Sequence, residues 1–487
     1  MNSNTLPTEL EQANGEELKY SRMIADLPGP KGQPILGNML QLSGQQAHLT
    51  FIKWFREFGS VFRINALGRS IVVVSDHVAV NNMLRDRPNG FRRNPSGKVI
   101  MNELHISGVL TAESDEWRKQ RKLVMGGLGF EVVRNFFPKM AFMTERLLQR
   151  WKKAALEGTP IDLHRDLKAM AIDVIVGVAM GHDINALNDK NDQLQRNFDN
   201  VLSRMQKRSD TLIPYWRHFK LPADRSAEKS AADIEKAVMT FIENARERMR
   251  LQPELRQKPT NMLESMIAAS DDPDTDFNDT EVISNAILSV VGGEDSTSNS
   301  MAWMVNLLAQ NPAAAAALTA EIDKVLGDAP LASEWDLMKQ FPYLEAVHSE
   351  SQRLRAVAPL FGLVSNADCV VADTFIPKDT LVIVSTVGEA QNETQFPQAE
   401  LFQPERWIFE QKPHRDEDPA RMLFPFGGGT RMCPGRFLAM TEIKMVISML
   451  MRNFELELDT SAPPVEQVLN FFMGPSAVPV RLKLRGG

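Results

Sequence analysis

Cys433 has the most specific chemical setting in the chain, within the stretch Pro425–Ala439, PFGGGTRMCPGRFLA. Three glycines at 427–429 precede it, and glycines let a backbone turn tightly and lie against a flat object that side chains would obstruct. A helical pattern of apolar residues follows, with Pro434 at the position of a first helical residue. We therefore expect Cys433 at a helix N-terminus, where free backbone N–H groups lower its pKa and favour a metal-binding thiolate.

The spacing of the residues around Cys433 argues against a merely structural, buried cysteine. Phe426, Gly429, Arg431, Cys433 and Gly435 match F-x-x-G-x-R-x-C-x-G, which chance produces roughly once in a few million starting positions. This stretch resembles the haem-binding loop of the cytochromes P450. The resemblance implies that these five residues belong to a cofactor-binding loop. In it Cys433 is the thiolate ligand of the iron, Phe426 shields the sulfur and Arg431 pairs with a carboxylate.

The composition indicates no nucleic-acid or membrane partner. The chain has 487 residues, a net charge of -7 and a pI near 5.8, so neither nucleic acid nor an anionic membrane is attracted to the whole protein. Residues 1–30 contain no apolar run long enough for a signal peptide or a membrane anchor. The two cysteines are Cys369 and Cys433. We expect a cytoplasmic protein without a disulfide, in which Cys369 is a small strand or core residue.

Hydrophobic periodicity predicts mostly helices. Residues 1–26 are polar and are expected to be a flexible lead, and residues 91–116 are expected to be irregular. Strand-like runs predict hairpins at 60–76, at 369–387 around a Pro-Lys-Asp turn, and near the C-terminus. Helices are predicted at 48–59, 140–155, 167–180, 193–205, 226–250 and 261–269.

The longest predicted helix, Asp279–Asn311, has two adjacent glycines near its middle. It begins at a capping box formed by Asn278 and Glu281. Gly292 and Gly293 cost roughly 2 kcal/mol of helix stability, which indicates a close approach or a local opening.

This helix centre is similar to a second pattern of the cytochromes P450, A/G-G-x-D/E-T-T/S, at Gly292, Gly293, Asp295, Ser296 and Thr297. The resemblance implies that the glycines leave room for dioxygen and substrate, and that Asp295 and Ser296 relay protons to the oxygen. Ser296 replaces the usual first threonine, which keeps the hydroxyl but loses the methyl group that fixes its rotamer. The structural alternative is a Ser/Thr/Asp cluster that only kinks a core helix.

Trp117 and Arg121 match the pattern W-x-x-x-R and share one face of a predicted helix. An indole N–H and a guanidinium are suited to one haem propionate, which the resemblance implies is their role. Arg118, Lys119 and Lys122 make the same helix basic, which favours docking of an acidic electron-transfer protein. A solvated charged face is the alternative.

Glu350 and Arg353 match E-x-x-R and can pair on one helix face, while Arg406 lies in the later sequence PERW. These three resemble the internal ion network of the family, which implies a structural role in holding the haem loop. The family often has a basic residue near Leu363 and Val364, and none is evident here. The second propionate contact is therefore unassigned.

The motifs occur in the order found in cytochromes P450, from about Leu27 to Arg485. The resemblance implies one large haem domain, residues 27–487, mainly α with small β-sheets (α+β). It holds haem b (iron protoporphyrin IX) between the long helix and the cysteine loop. The implied activity is a monooxygenase that inserts one atom of O2 into a hydrophobic small molecule.

The source of electrons and the type of oxidation leave alternatives open. The sequence has no flavin-binding glycine fingerprint, so we expect a separate ferredoxin or flavodoxin with an NAD(P)H-dependent reductase. The alternatives are a peroxide-driven or oxygen-independent haem-thiolate enzyme (peroxygenase, isomerase or dehydratase) and a non-catalytic haem sensor.

Overall fold

Helices dominate the structure and surround one long central helix. The computed structural model describes residues 9–11, 17–42, 44–159, 161–188, 193–211, 213–273, 275–409 and 418–486. Its helices are α1 (Ala47–Phe58), α2 (His77–Arg85), α3 (Pro95–Asn102), α4 (Ser114–Gly127), α5 (Phe130–Glu157), α6 (Leu163–Met180), α7 (Gln193–Asp210), α8 (Pro222–Leu251), α9 (Met262–Ser270), α10 (Asp279–Gln310), α11 (Pro312–Leu326), α12 (Pro342–Leu354) and α13 (Arg436–Asn453).

The central helix, α10, begins at a side-chain cap. Asn278 and Glu281 form the predicted capping box, with each side chain bonded to the other residue's backbone N–H. Its 32 residues correspond to roughly 48 Å at the α-helical rise. Most of its side chains are buried in the main hydrophobic core, which α5, α6, α9 and α13 also build. A helix with buried residues around most of its circumference suits a position at the centre of the fold.

Short strands form small sheets beside the helices. The largest has the order β4-β5-β10-β7-β6, in which β5 and β10 are parallel and the other pairs are antiparallel. A second sheet has the order β3-β9-β8, and three further pairs are β1-β2, β11-β14 and β12-β13. The strands are β1 (Glu9–Glu11), β2 (Glu17–Lys19), β3 (Arg22–Met23), β4 (Val61–Ala66), β5 (Arg69–Val74), β6 (Phe91–Arg93), β7 (Leu360–Ser365), β8 (Cys369–Val371), β9 (Thr374–Ile376), β10 (Leu381–Ser385), β11 (Phe454–Leu458), β12 (Gln467–Leu469), β13 (Met473–Pro475) and β14 (Val480–Leu484).

The predicted fold class, mainly α with small β-sheets, is confirmed. The predicted helices are all present, and several extend further than their apolar periodicity indicated. Helix α1 stops where expected, because Gly59 adopts φ 88°, a left-handed region that favours glycine. The predicted hairpin at 60–76 is β4-β5.

Two local predictions were wrong. Residues 91–116 are not irregular, since they contain β6 and α3, and Asn94 caps α3 by accepting a hydrogen bond from the Ser96 N–H. The Pro-Lys-Asp turn does not close a hairpin: β8 and β9 pair around residues 372–373, and the turn carries the chain to β10 in another sheet.

The expected N-terminal lead, residues 1–26, lies partly outside the described residues. Its described part is not irregular, because β1 pairs with β2 and β3 pairs with β9. Tyr20 is buried against Phe375, with ring centroids 5.1 Å apart. Within the described ranges, no helix combines the length and apolar character that crossing a membrane requires.

Candidate functional site

The cysteine loop reaches its conformation by packing against α2. Gly429 has φ 62°, and a Cβ there would lie 2.0 Å from the Leu84 carbonyl oxygen, so only glycine fits. A Cβ at Gly428 would meet the Leu84 side chain at 3.1 Å, whereas one at Gly427 would meet nothing within 4 Å. The expectation that all three glycines face a flat object is therefore wrong for two of them. Gly428 and Gly429 permit packing on α2, and Gly427 borders open space.

Cys433 precedes α13 rather than starting it. The helix begins at Arg436 with Gly435 as its N-cap, so the predicted first helical residue, Pro434, lies outside it. The backbone N–H of Cys433 donates to the Phe426 carbonyl at 2.8 Å and closes the loop. The side chain of Cys433 retains accessible surface, although protein atoms surround it on most sides.

The pKa of the Cys433 thiol follows two opposing causes. Burial among protein atoms raises it, while hydrogen bonds from the Gly435 and Arg436 N–H groups and the positive charge of Arg121 lower it. The net direction in the protein alone is upward, so the expected lowered pKa is wrong. The expected N–H donors are nevertheless directed at the sulfur. A bound cation would add the charge that a thiolate needs.

Phe426 connects the cysteine loop to α12. Its ring stacks on that of His348, with centroids 5.9 Å apart, and the Arg436 guanidinium carbon lies 5.8 Å from the centroid of the Phe426 ring. His348 is buried, and burial lowers its pKa to about 4, so it is a neutral packing partner at physiological pH. The aromatic pair is a direct contact between the loop and α12.

Four guanidinium groups meet beside the cysteine loop. Arg431 stacks on Trp117 of α4, with its guanidinium carbon 4.7 Å from the ring centroid, and donates to the Ala112 carbonyl at 2.9 Å. Arg431 also pairs with Glu113. Among the described residues, Glu113 is the only carboxylate whose charge acts on these guanidinium groups. Arg87, Arg93 and Arg121 supply the other three guanidinium groups. We call these four arginines the arginine cluster.

The positive charge of the arginine cluster is not neutralised by the described residues, and several of its N–H donors have no acceptor among them. Nε and one terminal nitrogen of both Arg87 and Arg431, and Nε of Arg93, are buried with no hydrogen-bond partner among the described residues. Burial and mutual repulsion lower the pKa of Arg87 to about 9 and that of Arg93 to about 10. Buried donors of one sign with a single counter-ion favour an anionic partner. A group with two carboxylates, such as haem b, fits this donor set.

Arg87 and Arg93 were missed by sequence reasoning. Arg93 follows Arg92 directly, but Arg92 lies outside the cluster and pairs with Asp379 at 2.6 Å. The carbonyl of Arg87 accepts a hydrogen bond from Thr430 of the cysteine loop at 2.7 Å. The adjacent Arg92 and Arg93, within a stretch predicted to be irregular, were the available signal for Arg93. Only the fold shows which of them faces the loop.

The two glycines at the centre of α10 have different surroundings. A Cβ at Gly292 would meet nothing within 4 Å, while one at Gly293 would lie 2.7 Å from Ile175 on α6. Gly293 therefore permits close helix packing, and the expected open space is beside Gly292 alone. Ser296 donates to the Gly292 carbonyl at 2.7 Å, which holds its hydroxyl on the Gly292 side. Asp295 is partly exposed and Thr297 is buried.

Glu350, Arg353 and Arg406 form one buried network. Arg353 binds both oxygens of Glu350 at 2.8 Å, and both side chains are fully buried. Arg406 Nε lies 3.4 Å from Glu350. Arg353 also donates to the carbonyls of residues 390, 399 and 401 at 2.7 to 3.0 Å. The network thus connects α12 to the segment 389–407, which precedes the cysteine loop.

Comparisons with known proteins agree with this arrangement. A family model described as Cytochrome P450 matches residues 27–480. Cytochrome P450 3A6 of Oryctolagus cuniculus is 26% identical over 458 residues, covering 90% of this chain and 87% of that protein. Sugiol synthase of Salvia miltiorrhiza is 26% identical over 473 residues, covering 93% of each. A self-sufficient cytochrome P450 monooxygenase of Phanerodontia chrysosporium is 25% identical over 459 residues, and the match covers 91% of this chain and 41% of that protein.

The family match confirms the resemblance predicted from the sequence. Cytochromes P450 are oxidoreductases that bind haem b through a cysteine thiolate, and their monooxygenase reaction uses O2 and a hydrophobic substrate. Haem b fits the loop and the arginine cluster described above. This chain belongs to the cytochrome P450 family.

Proposed function

We propose that this protein is a monooxygenase of hydrophobic small molecules in which Cys433 is the haem ligand. The observation that carries the proposal is the position of the Cys433 sulfur, which accepts hydrogen bonds from two backbone N–H groups beside the arginine cluster. Haem with a thiolate ligand supplies the electron density that favours O–O cleavage. The proposed haem domain spans residues 27–487. We propose the cytoplasm as its location, a compartment in which thiols stay reduced.

The propionate contacts of this proposal come from several elements. Trp117 and Arg121 of α4 would hold one carboxylate, as the sequence pattern predicted, and Arg431 of the loop, which stacks on Trp117, would add a further donor. Arg93 and Arg87, whose buried nitrogens lack partners among the described residues, hold the other. Phe426 of the loop packs against His348 and Arg436. Gly435, the N-cap of α13, leaves its own N–H free for the sulfur.

The centre of α10 would supply the oxygen site of the proposal. Gly292 leaves open space, and Ser296 holds its hydroxyl beside it. Asp295, one residue before, is partly exposed and so can exchange protons with water. Asp295, Ser296 and Thr297 are the proposed proton-relay residues.

The reduced, CO-bound absorption spectrum tests the thiolate, and turnover assays test the reaction. We expect a strongly red-shifted Soret band, and product formation that requires NAD(P)H and a reductase system. A Soret band at the ordinary haem-protein position would overturn the assignment of Cys433. Equal rates with peroxide alone, and none with reduced partner, would favour a peroxygenase instead.

Replacing Arg93 with leucine is expected to accelerate haem loss about tenfold to a hundredfold, since a charge-assisted hydrogen bond contributes about 1.5–3 kcal/mol. The apoprotein is expected to unfold no more easily, because Arg93 is repelled by Arg431. Haem transfer to apomyoglobin and denaturant unfolding measure the two effects. Arg92→Leu is the matched control, since Arg92 pairs with Asp379 outside the cluster. Equal haem loss in both variants would contradict the propionate assignment.

We also propose that electrons come from a separate acidic partner, a ferredoxin or flavodoxin with its NAD(P)H-dependent reductase. The self-sufficient relative is much longer than the region matched here. Fewer positive charges of α4 are available to a partner than expected. Arg118 pairs with Asp115, and Lys119 lies 3.2 Å from Asp276 and 3.0 Å from Glu281. Lys122 is exposed, and so is Arg436 at the start of α13. These two cations are the proposed docking charges.

Reversing one docking charge, by Lys122→Glu, is expected to slow reduction by the partner protein about tenfold at low ionic strength. The difference should shrink as salt screens the charges. Stopped-flow reduction under CO measures the rate. Lys153→Glu on α5 is the control, because Lys153 is also exposed but lies on another helix. If the two variants are slowed equally, docking does not involve α4.

A further inference from the structure

A cluster of three carboxyl groups around one lysine lies between α6, α7 and α10. Lys168 Nζ of α6 is 3.3 Å from Asp295, 3.5 Å from Glu294 and 3.5 Å from Asp199 of α7. One ammonium group cannot neutralise three ionised carboxylates, so the cluster favours keeping a proton on one of them. We call these four residues the Lys168 cluster.

The Lys168 cluster extends from the surface into the core. The exposed fraction of the side chain is 47% for Asp199, 35% for Lys168, 27% for Asp295 and 0% for Glu294. Both carboxyl oxygens of Glu294 are buried and accept no well-formed hydrogen bond from the described residues. A carboxylate without hydrogen bonds is unfavourable in the core. Glu294 is therefore the group that keeps the proton.

The pKa of Glu294 is raised to about 8 by its surroundings. Burial is the largest cause, and the negative charges of Asp295 and Asp199 add to it, while Lys168 acts in the opposite direction. These are the charged groups that act on Glu294 from α6, α7 and its own helix. His164, one turn before Lys168 on α6, bonds to Asn299 instead, at 3.0 Å.

Glu294 adjoins the proposed relay residues in the sequence and shares a contact with one of them. It precedes Asp295, and both carboxyl groups contact the same Lys168 nitrogen. Ser296 follows with its hydroxyl on the Gly292 side, where α10 borders open space. The sequence pattern left the position of Glu294 unspecified, and no role was predicted for it.

We propose that Glu294 is a buried proton donor that re-protonates Asp295, and that Lys168 positions both carboxyl groups. The inference rests on the proposed monooxygenase function. A proton leaves the Glu294 carboxyl group and binds to the carboxylate of Asp295, and the Glu294 carboxylate that remains pairs with Lys168. Water returns a proton through Asp199, the most exposed carboxyl group of the cluster. Lys168 is a positioning residue in this scheme.

Infrared spectroscopy of the intact haem protein tests the buried proton without turnover. We expect a carboxylic acid C=O band that disappears as the pH rises through about 8. Glu294→Gln should lack this band, and Lys168→Met should shift its loss to higher pH, because removing the ammonium disfavours the carboxylate further. Glu442→Gln is the control, since Glu442 is another buried carboxyl group with a raised pKa, on α13. It should leave the titrating band unchanged.

Thermal unfolding gives a second readout with a defined sign. A carboxyl group with a raised pKa contributes stability below its ordinary pKa, and this stability is lost as the pH rises through about 8. Glu294→Gln is therefore expected to melt at a higher temperature than the wild type at alkaline pH. A lower melting temperature there would contradict a buried, uncompensated Glu294.

Turnover then tests the relay. In Glu294→Gln we expect a rate about a hundredfold lower, a larger solvent isotope effect in D2O and an unchanged KM, since general acids typically contribute about 10²-fold or more. A normal red-shifted CO spectrum with rate and isotope effect equal to wild type would overturn the inference and leave the proposed function intact. A CO spectrum without the red shift would instead overturn the proposed function.

Discussion

Cys433→Ser is expected to remove the red-shifted Soret band of the reduced, CO-bound protein and to lower monooxygenase turnover on the order of a thousandfold. A serine hydroxyl stays protonated at neutral pH and supplies no thiolate electron density to the iron. Its size is close to that of cysteine, and the loop is closed by the backbone bond to Phe426, so its conformation should persist. CO-difference spectra and product assays measure the two effects.

Cys369→Ser is the matched control for this replacement. Cys369 begins β8 and is half-buried, and burial raises its pKa to about 12, so it remains a thiol. We expect this variant to keep the spectrum and the turnover of the wild type. If Cys433→Ser kept a red-shifted band, or if Cys369→Ser lost it, the ligand assignment would be wrong.

Arg353→Leu is expected to lower the free energy of unfolding by about 3–5 kcal/mol, because it leaves the fully buried Glu350 without its bidentate partner. Three backbone carbonyls between residues 390 and 401 lose a donor as well. These carbonyls belong to the segment before the cysteine loop, so haem content should fall with stability. Denaturant unfolding and the ratio of haem to protein measure these losses.

Arg406→Leu provides the comparison within the same network. Arg406 lies 3.4 Å from Glu350 and is more exposed than Arg353, and Glu350 keeps its bonds to Arg353, Gln403 and Trp407 when Arg406 is removed. We expect a loss of about 1 kcal/mol. Equal losses in the two variants would show that the buried pair does not dominate the network.

Family, fold class and most helices were predictable because their signals are local. The spacing around Cys433, the capping box of α10 and the E-x-x-R pair each depend on residues within a few positions of one another. Backbone geometry makes such neighbours meet whatever the rest of the chain does. Helix α3 was missed although Asn94 and Pro95 form a local start signal, because its apolar pattern is short.

The tertiary structure decided which residues from distant segments meet. The sequence pattern itself identified Cys433 and its loop. Only packing against Leu84 shows why Gly428 and Gly429 are required. Only the fold shows that Arg93 belongs to the arginine cluster and Arg92 does not. Likewise, Glu294 occupies an unspecified position of its motif and acquires a raised pKa because α6 and α7 enclose it. Burial and long-range electrostatic interactions depend on the whole fold, whereas periodicity and motif spacing depend only on residues close together in the sequence.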